Sequence, residues 1–335
     1  KTADEACVRS FIRTKGRLAW RRSLSQAEQD QLYGLYATWS AMPGSDVATA
    51  YRVVVERILN APGFVYRPEL GRAGSPGDIV SLAPAELASR LSFFLHGEAP
   101  DGELLDAAEG GRLESDADVL ARVDTMLADK RAVAGLRSFH KRIFSLGSLE
   151  GIQKNAGLYP SFTEEQAASM REEIYRMTES AWASKDWSTL FSTTNTFVDD
   201  KLAPIYGVEA PSGGFQPLAL DPAKRRGVLT TPGMMTLLAK SNESAPIRRG
   251  AWIREMIFCQ HLEAPSGLAI SPPEPVPNKT TREQLEAHRS SPACAGCHSL
   301  MDPAGLPFEH YDAVGKWRDT QNSLPIDDSG ELAKT

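Results

Sequence analysis

The decisive stretch of this sequence is CAGCHSLMDP at residues 294–303, near the C-terminal end of the chain. Its first five residues follow the C-x-x-C-H pattern of c-type haem attachment. Two thiols three positions apart on a turn can each form a thioether with one vinyl group of the porphyrin, and the adjacent imidazole then reaches the iron as proximal ligand. We therefore expect Cys294 and Cys297 to tether one covalent haem c, and His298 to ligate its iron.

Other sites that use paired cysteines fit the pattern less well. With only 4 Cys and 6 His in 335 residues, a chance match has a probability of roughly one in a thousand. A thioredoxin-like C-x-x-C needs a strand before it, whereas the segment upstream has a helical pattern. A structural zinc site needs four ligands, and no second Cys/His pair lies at finger spacing. The open alternatives are a redox disulfide and a copper site, whose soft or borderline ligands are Cys294, Cys297, His298 and Met301.

The residues on either side of the motif predict how it is held. Upstream, the Pro-rich segment 264–278 is typical of an extended linker. Thr280 then caps a short helix that has Glu283 at its third position. Downstream, Asp302 and Pro303 predict a turn.

The function depends on the second axial ligand of the iron, because a filled site favours electron transfer and an open one favours oxygen or peroxide chemistry. Met301 is the nearest methionine, but three residues after His298 it should lie on the same side of the ring. Met234 and Met235 could reach the iron from another module, although core packing is their commoner role. His310 and His261 are further candidates, and such histidines are more often hydrogen-bonded or at the surface.

Several basic and aromatic residues are candidates for contacts with the porphyrin. Arginine matches a carboxylate in bidentate fashion, so basic residues near the motif could neutralise the haem propionates; solvated surface cations are the alternative. Trp317 and Tyr311 would pack beside the porphyrin or in the core. The basic candidates are Arg248, Arg249, Lys316 and Arg318.

The rest of the chain has a predominantly helical pattern. Ser25 followed by Glu28 predicts a capped helix that runs to about Ser40, and residues 170–182 form a long amphipathic pattern. Because no repeated alternating segments occur, a sheet-based core is not expected. The predicted fold is therefore mostly α, a multi-module helical protein with a C-terminal haem-binding segment.

Gly/Pro-rich breaks divide the chain into three predicted modules. The first is an N-terminal helical module at residues 1–72, and the second is a central helical domain at residues 80–207. The third, at residues 224–335, carries the C-x-x-C-H motif, and we expect it to continue beyond the end of the chain.

Composition excludes several classes of protein. The net charge of −6, from 43 acidic and 37 basic side chains, argues against a nucleic-acid partner and leaves no basic surface for anionic lipid. No run of about 18 apolar residues exists, so no transmembrane segment is predicted. The sequence has no serine-hydrolase elbow, no Walker loop and no dinucleotide fingerprint.

Two cysteines lie outside the motif. Cys7 and Cys259 are compatible with one disulfide, which would suit an oxidising compartment; two unrelated thiols packed as small hydrophobes are the alternative. Haem c attachment also points outside the cytoplasm, so we predict the disulfide.

The chain resembles a large family of secreted bacterial proteins, predicted c-type cytochromes that are built of tandem domains of unknown function. The resemblance implies a mostly helical, haem-bearing, exported protein and no particular reaction. Family members usually begin before the equivalent of Lys1 and continue past that of residues 326–330, so we expect this chain to be a fragment or a processed product. The matching stretches are residues 11–24, 88–95 with 100–101, 126–129, 196–198 with 202–203 and 206–207, 244–250, and 294–318.

The sequence thus favours a bacterial c-type cytochrome in the periplasm or outside the cell. It would transfer electrons to a redox partner protein or to another chain from the same precursor. A haem peroxidase or oxygenase with an extracellular substrate is the alternative, so whether the protein is an enzyme stays open. A binding or scaffold protein with copper or a disulfide at the motif is the third hypothesis.

Overall fold

The computed structural model describes residues 4–73, 77–262, 276, 278–290, 292–330 and 332. Most of these residues are helical, and the strands form two small antiparallel sheets of two strands each. The predicted mostly α fold is therefore confirmed. The chain divides into two compact units, residues 1–138 and 139–335.

The first unit is built from helices of 4 to 16 residues, several of which are capped by a side chain. In α2, the Ser25 side chain accepts from the Glu28 amide while Glu28 accepts from the Ser25 amide, so the predicted capping box is confirmed. Asp46 caps α3 through the Thr49 amide. The helices are α1 (Glu5–Trp20), α2 (Gln26–Ser40), α3 (Val47–Leu59), α4 (Pro62–Val65), α5 (Pro84–Leu95), α6 (Gly102–Glu109), α7 (Asp116–Ala128) and α8 (Arg131–Ile143), which crosses into the second unit.

Two apolar clusters form the interior of the first unit. One lies between α1, α2 and α3, and its centre includes the fully buried Val8, Ile12 and Val54. The other lies between α5, α6 and α7 around Leu105. Residues three and four apart on each helix supply these contacts, as the helical period requires.

The second unit combines one long helix with many short elements. Strand β1 pairs with β2 antiparallel, with Asn195 opposite Ala219. The elements are α9 (Glu164–Ser184), α10 (Thr189–Ser192), β1 (Asn195–Val198), α11 (Ala203–Tyr206), β2 (Gln216–Ala219), α12 (Pro232–Leu237), α13 (Pro246–Trp252), a π-helical turn at Ile253–Ile257, α14 (Thr281–Arg289), α15 (Pro292–Gly305), β3 (Thr320–Gln321) and β4 (Leu324–Pro325).

Helix α9 is the centre of the second core. Thr163 caps its start by accepting from the Gln166 amide, and Met170, Ile174, Met177 and Ala181 form one buried stripe along it. Met234 and Met235 of α12 and Tyr311 belong to the same cluster. The core thus joins α9 to the segments on either side of the motif in sequence.

Some predictions of local structure need correction or stay open. Residues 246–252 form the short α13, and the π-helical turn at residues 253–257 follows it directly. The region around 208–223, predicted as a Pro/Gly-rich boundary, contains strand β2. The predicted linker at 264–278 lies almost entirely outside the described residues. In the described ranges, no helix has the length and apolar character needed to cross a bilayer.

Candidate functional site

The whole C-x-x-C-H motif lies on one helix. Helix α15 begins at Pro292, where a missing amide proton costs no helical hydrogen bond, and it runs to Gly305. Residues 294, 297 and 298 are three and four positions apart, so they share one face of the helix. The motif is therefore helical and not on the predicted turn. The turn predicted at Asp302 and Pro303 is also wrong, because both residues lie in the last two turns of α15.

A carboxylate orients the predicted proximal histidine. The Nδ1 atom of His298 lies 3.0 Å from Oδ1 of Asp302, one helical turn further on. A carboxylate only accepts, so Nδ1 is the donor and the lone pair of this tautomer is on Nε2. His298 is 9% exposed and Asp302 is fully buried. The ring is therefore held in the tautomer that a proximal ligand requires.

The residues present fit a covalently attached haem. Cys294 and Cys297 are both partly exposed free thiols, as attachment to a porphyrin requires before the thioethers form. Nε2 of His298 is the nitrogen that would bind iron. Soft sulfur and imidazole ligands would also suit copper. In the part of the chain that the structure describes, no three His, Cys, Asp or Glu side chains are grouped to hold a metal ion.

Close backbone contact with α13 holds α15 in place. A Cβ atom on Gly250 would lie only 1.8 Å from the Met301 carbonyl oxygen, and one on Gly305 would lie 1.9 Å from that of Pro246. Arg254, which follows α13, donates from Nε to the Leu300 carbonyl oxygen at 3.0 Å. Two glycines thus allow the motif helix and α13 to approach at backbone distance.

Arg249, predicted as a candidate for the propionates, is part of the interior. Its side chain is fully buried and donates to the carbonyl oxygens of Phe308 at 2.6 Å and Tyr311 at 3.1 Å. Its Nη1 atom lies 3.5 Å from Oε1 of Glu309, which is also buried. Burial lowers the pKa of Arg249 to about 10. These contacts give Arg249 a structural role, which corrects the expectation.

Three other candidates for porphyrin contacts, Arg318, Trp317 and Arg248, are also engaged within the fold. Arg318 donates from Nε to the Glu309 carbonyl oxygen at 3.1 Å and from Nη2 to Ser244 Oγ at 3.0 Å. Trp317 stacks on His310, with ring centroids 4.3 Å apart and planes within 2°. Arg248 donates to the Ala239 carbonyl oxygen, and Lys316 is exposed. Haem contacts of Arg318 and Trp317 stay a prediction.

The candidates for a second axial ligand lie in different places. Met234 and Met235 are at most 2% exposed and pack in the core of the second unit. His310 donates from Nδ1 to the Arg318 carbonyl oxygen at 2.8 Å. Met301 is on α15 itself, and His261 is exposed. These positions do not decide which residue would be the second axial ligand, so that ligand stays a prediction.

The disulfide predicted between Cys7 and Cys259 is not formed in the structure. Both thiols are free and exposed, and they belong to different units. Neither is packed as a small hydrophobe, so the alternative expectation of buried thiols does not describe them either. The pairing stays a prediction.

Sequence reasoning missed two residues beside the motif. The first is Asp302 as the partner of His298, although their spacing of four on a helix could have indicated it. The second is Arg289 of α14, whose Nε atom lies 3.7 Å from Oδ2 of Asp302. Arg289 also borders an open cavity of about 410 Å³. It is lined by Arg282, Arg289, Pro303, Leu306, Ser329 and Gly330.

Three family matches cover most of the chain. Residues 7–69 match PSD5, a protein of unknown function (DUF1595). Residues 82–208 match PSD4, a protein of unknown function (DUF1592). Residues 225–321 match PSCyt3, a protein of unknown function (DUF1588), and include the motif. No curated protein and no solved structure shows significant similarity to the chain. In order along the sequence, the chain is thus similar to PSD5, PSD4 and PSCyt3 domains in tandem.

Proposed function

We propose that this protein is an exported bacterial c-type cytochrome that carries one covalent haem and transfers electrons to a redox partner protein. The observation that carries the proposal is the hydrogen bond between Nδ1 of His298 and the buried Asp302. Both residues lie on the same helix as the two motif cysteines. The matched tandem families are cytochrome-c-like, which supports a redox role. Haem c is attached outside the cytoplasm, which supports a periplasmic or extracellular location.

Each residue of the motif has one role in this proposal. The sulfur atoms of Cys294 and Cys297 would hold the porphyrin covalently, and Nε2 of His298 would bind its iron. Asp302 keeps the imidazole in the ligating tautomer. The close contact between α13 and α15 positions the motif helix in the second unit. When bound, the haem supplies one-electron redox chemistry.

An optical spectrum of the protein tests the proposal. The protein is produced with haem-attachment machinery, extracted with acid–acetone to remove loose haem, and measured oxidised and reduced. We expect a Soret band that stays with the polypeptide, with sharp α and β bands on reduction. The double variant C294A/C297A should lose the band. Gly296→Ala is the matched control, because it changes the same helix and keeps all three motif ligands. A wild-type protein without a retained Soret band would refute the proposal.

One observation favours a second function, a haem peroxidase or oxygenase. A carboxylate on Nδ1 of the proximal histidine raises the basicity of the ligand and so favours the more oxidised iron. Asp302 is such a carboxylate. A retained but high-spin spectrum with turnover of peroxide would select this function, whereas a low-spin spectrum without turnover would select electron transfer. If no haem is retained, metal analysis for copper and a thiol assay on Cys294 and Cys297 test the third hypothesis.

A further inference from the structure

A line of three polar side chains runs inward from the edge of the cavity. Arg289 of α14 is partly exposed, with 31% of its side chain accessible, and its Nε lies 3.7 Å from Oδ2 of Asp302. The other carboxylate oxygen, Oδ1, lies 3.0 Å from Nδ1 of His298. Asp302 itself is fully buried. The carboxylate therefore lies between a guanidinium and the predicted iron ligand.

The position of Asp302 is costly unless its charge is compensated. A buried carboxylate loses its hydration, and hydrogen bonding or a cation nearby has to offset that loss. The Nδ1–H group of His298 and the guanidinium of Arg289 both provide such compensation.

We propose that Asp302, balanced by Arg289, sets the reduction potential of the iron through His298. This inference rests on the proposed function, since it needs haem at the motif. A negative charge hydrogen-bonded to the imidazole makes His298 a stronger donor, and it stabilises the oxidised iron relative to the reduced iron. Asp302 thus lowers the potential, and the positive charge of Arg289 limits the effect. Both are positioning residues, because neither is placed to bind the iron.

Two variants with opposite expected signs test the proposal. Asp302→Asn keeps an acceptor for Nδ1–H but removes the charge, so the midpoint potential should rise. Arg289→Gln removes the balancing cation, so the potential should fall. For Asp302→Asn we expect at least a tenfold change in the equilibrium constant of reduction, which is about 59 mV for one electron. The measurement is a spectroelectrochemical titration of the haem-loaded full chain.

Arg282→Gln is the matched control for the loss of a cation. Arg282 lines the same cavity but contacts the Asp327 and Ser329 carbonyl oxygens, with Nε 3.0 Å from that of Asp327. Its removal should therefore lower the potential less than removal of Arg289 does. Equal shifts of the midpoint potential in both arginine variants would indicate a general effect of charge near the haem, and would overturn the specific role of Arg289.

The possible results separate this proposal from the proposed function. Suppose that the wild-type protein retains haem. If the midpoint potential then does not rise in Asp302→Asn, or rises in Arg289→Gln, the effect of Asp302 and Arg289 on the potential is overturned, while the proposed cytochrome function stands. If Asp302→Asn does not fold, the sign of the Arg289→Gln shift decides, because that side chain is partly exposed. A wild-type protein without covalent haem overturns both proposals together.

Discussion

A carboxylic acid is buried in the core of the second unit, away from the motif in sequence. Glu173 of α9 is fully buried, and its Oε1 accepts hydrogen bonds from the hydroxyls of Thr196 and Tyr206. Among the described residues, its Oε2 has no hydrogen-bond partner. Burial raises the pKa of Glu173 from 4.5 to about 7, and the hydroxyls and Arg225 oppose this rise. At a pH between these two values, the folded protein therefore holds a proton on Glu173 that the unfolded chain has lost.

The raised pKa makes the stability of the second unit depend on pH. Between pH 4.5 and pH 7, the folded state binds one proton more than the unfolded state, so the free energy of unfolding falls as pH rises. Below pH 4.5, the contribution of Glu173 to the free energy of unfolding is fully present. Glu173→Gln keeps the shape without the charge, and we expect it to be more stable than wild type above pH 7 by roughly 3 kcal/mol. Urea unfolding at pH 5 and pH 8 measures this, and equal pH dependence in both proteins would contradict it.

Arg249 is the other buried charge whose removal has a defined consequence. Replacing it with Met removes donors from the carbonyl oxygens of Phe308 and Tyr311 and leaves Glu309 with one fewer cation. Breaking a buried ion pair on one side costs about 3–5 kcal/mol. We expect that loss in the free energy of unfolding, measured by urea titration. The exposed Lys316→Met, a control of the same charge change, should shift it by no more than about 0.5 kcal/mol.

At the scale of the element, α13 and α15 can cross at backbone distance only because Gly250 and Gly305 have no side chain at the contact. Gly250→Ala would place a methyl group 1.8 Å from the Met301 carbonyl oxygen, so the helices have to separate. Overpacking of this kind costs about 1–3 kcal/mol. We expect Gly250→Ala to lower the melting temperature, as measured by circular dichroism, and to reduce haem retention.

Gly296 provides the opposite case on the same helix. A Cβ there meets nothing within 4 Å, and replacing an exposed helical glycine by alanine stabilises a helix by about 0.8–1 kcal/mol. We therefore expect Gly296→Ala to raise the melting temperature slightly. If both variants behave alike, close packing is not what holds the motif helix.

The elements predicted correctly from sequence are those that depend on local bonds. The capping box of α2 and the start of α14, where the Glu283 amide donates to Thr280 Oγ1, both use residues three apart. Strand β1 was not predicted, because its stability comes from pairing with β2 more than 15 residues away, and four residues are too few to give an alternating pattern. The turn predicted at Pro303 is wrong because α15 continues through it to Gly305, although proline has no amide proton to donate within the helix.

The candidate site follows the same physical rule. Its ligands are contiguous, so spacing alone predicts the attachment chemistry of Cys294, Cys297 and His298. The partners of those ligands come from other elements. Arg289 reaches Asp302 across a helix junction, and Arg249 reaches residues some 60 positions away. No pattern in the sequence pairs such residues, so the sequence left Arg249 as a candidate for the propionates or for the surface and did not predict its burial.

At the scale of the whole molecule, the two compact units have separate apolar cores. The division after residue 138 falls inside the predicted central domain of residues 80–207, and the three-module organisation stays a prediction. Composition indicates linkers but not contacts. Within the first unit, Arg17 of α1 bonds Asp106 and Glu109 of α6, which joins two of the predicted modules.

Separate cores predict that a cavity in one unit leaves the other unit protected. Ile12 and Ile174 are fully buried, one in each unit, and truncating either to alanine costs about 2–5 kcal/mol. In hydrogen exchange followed by mass spectrometry, Ile12→Ala should deprotect α1, α2 and α3 while α9 and β1 keep wild-type exchange. Ile174→Ala should give the reverse pattern, so each variant is the control for the other. Because protection reports the free energy of local opening, deprotection of both units by either change would show one cooperative core.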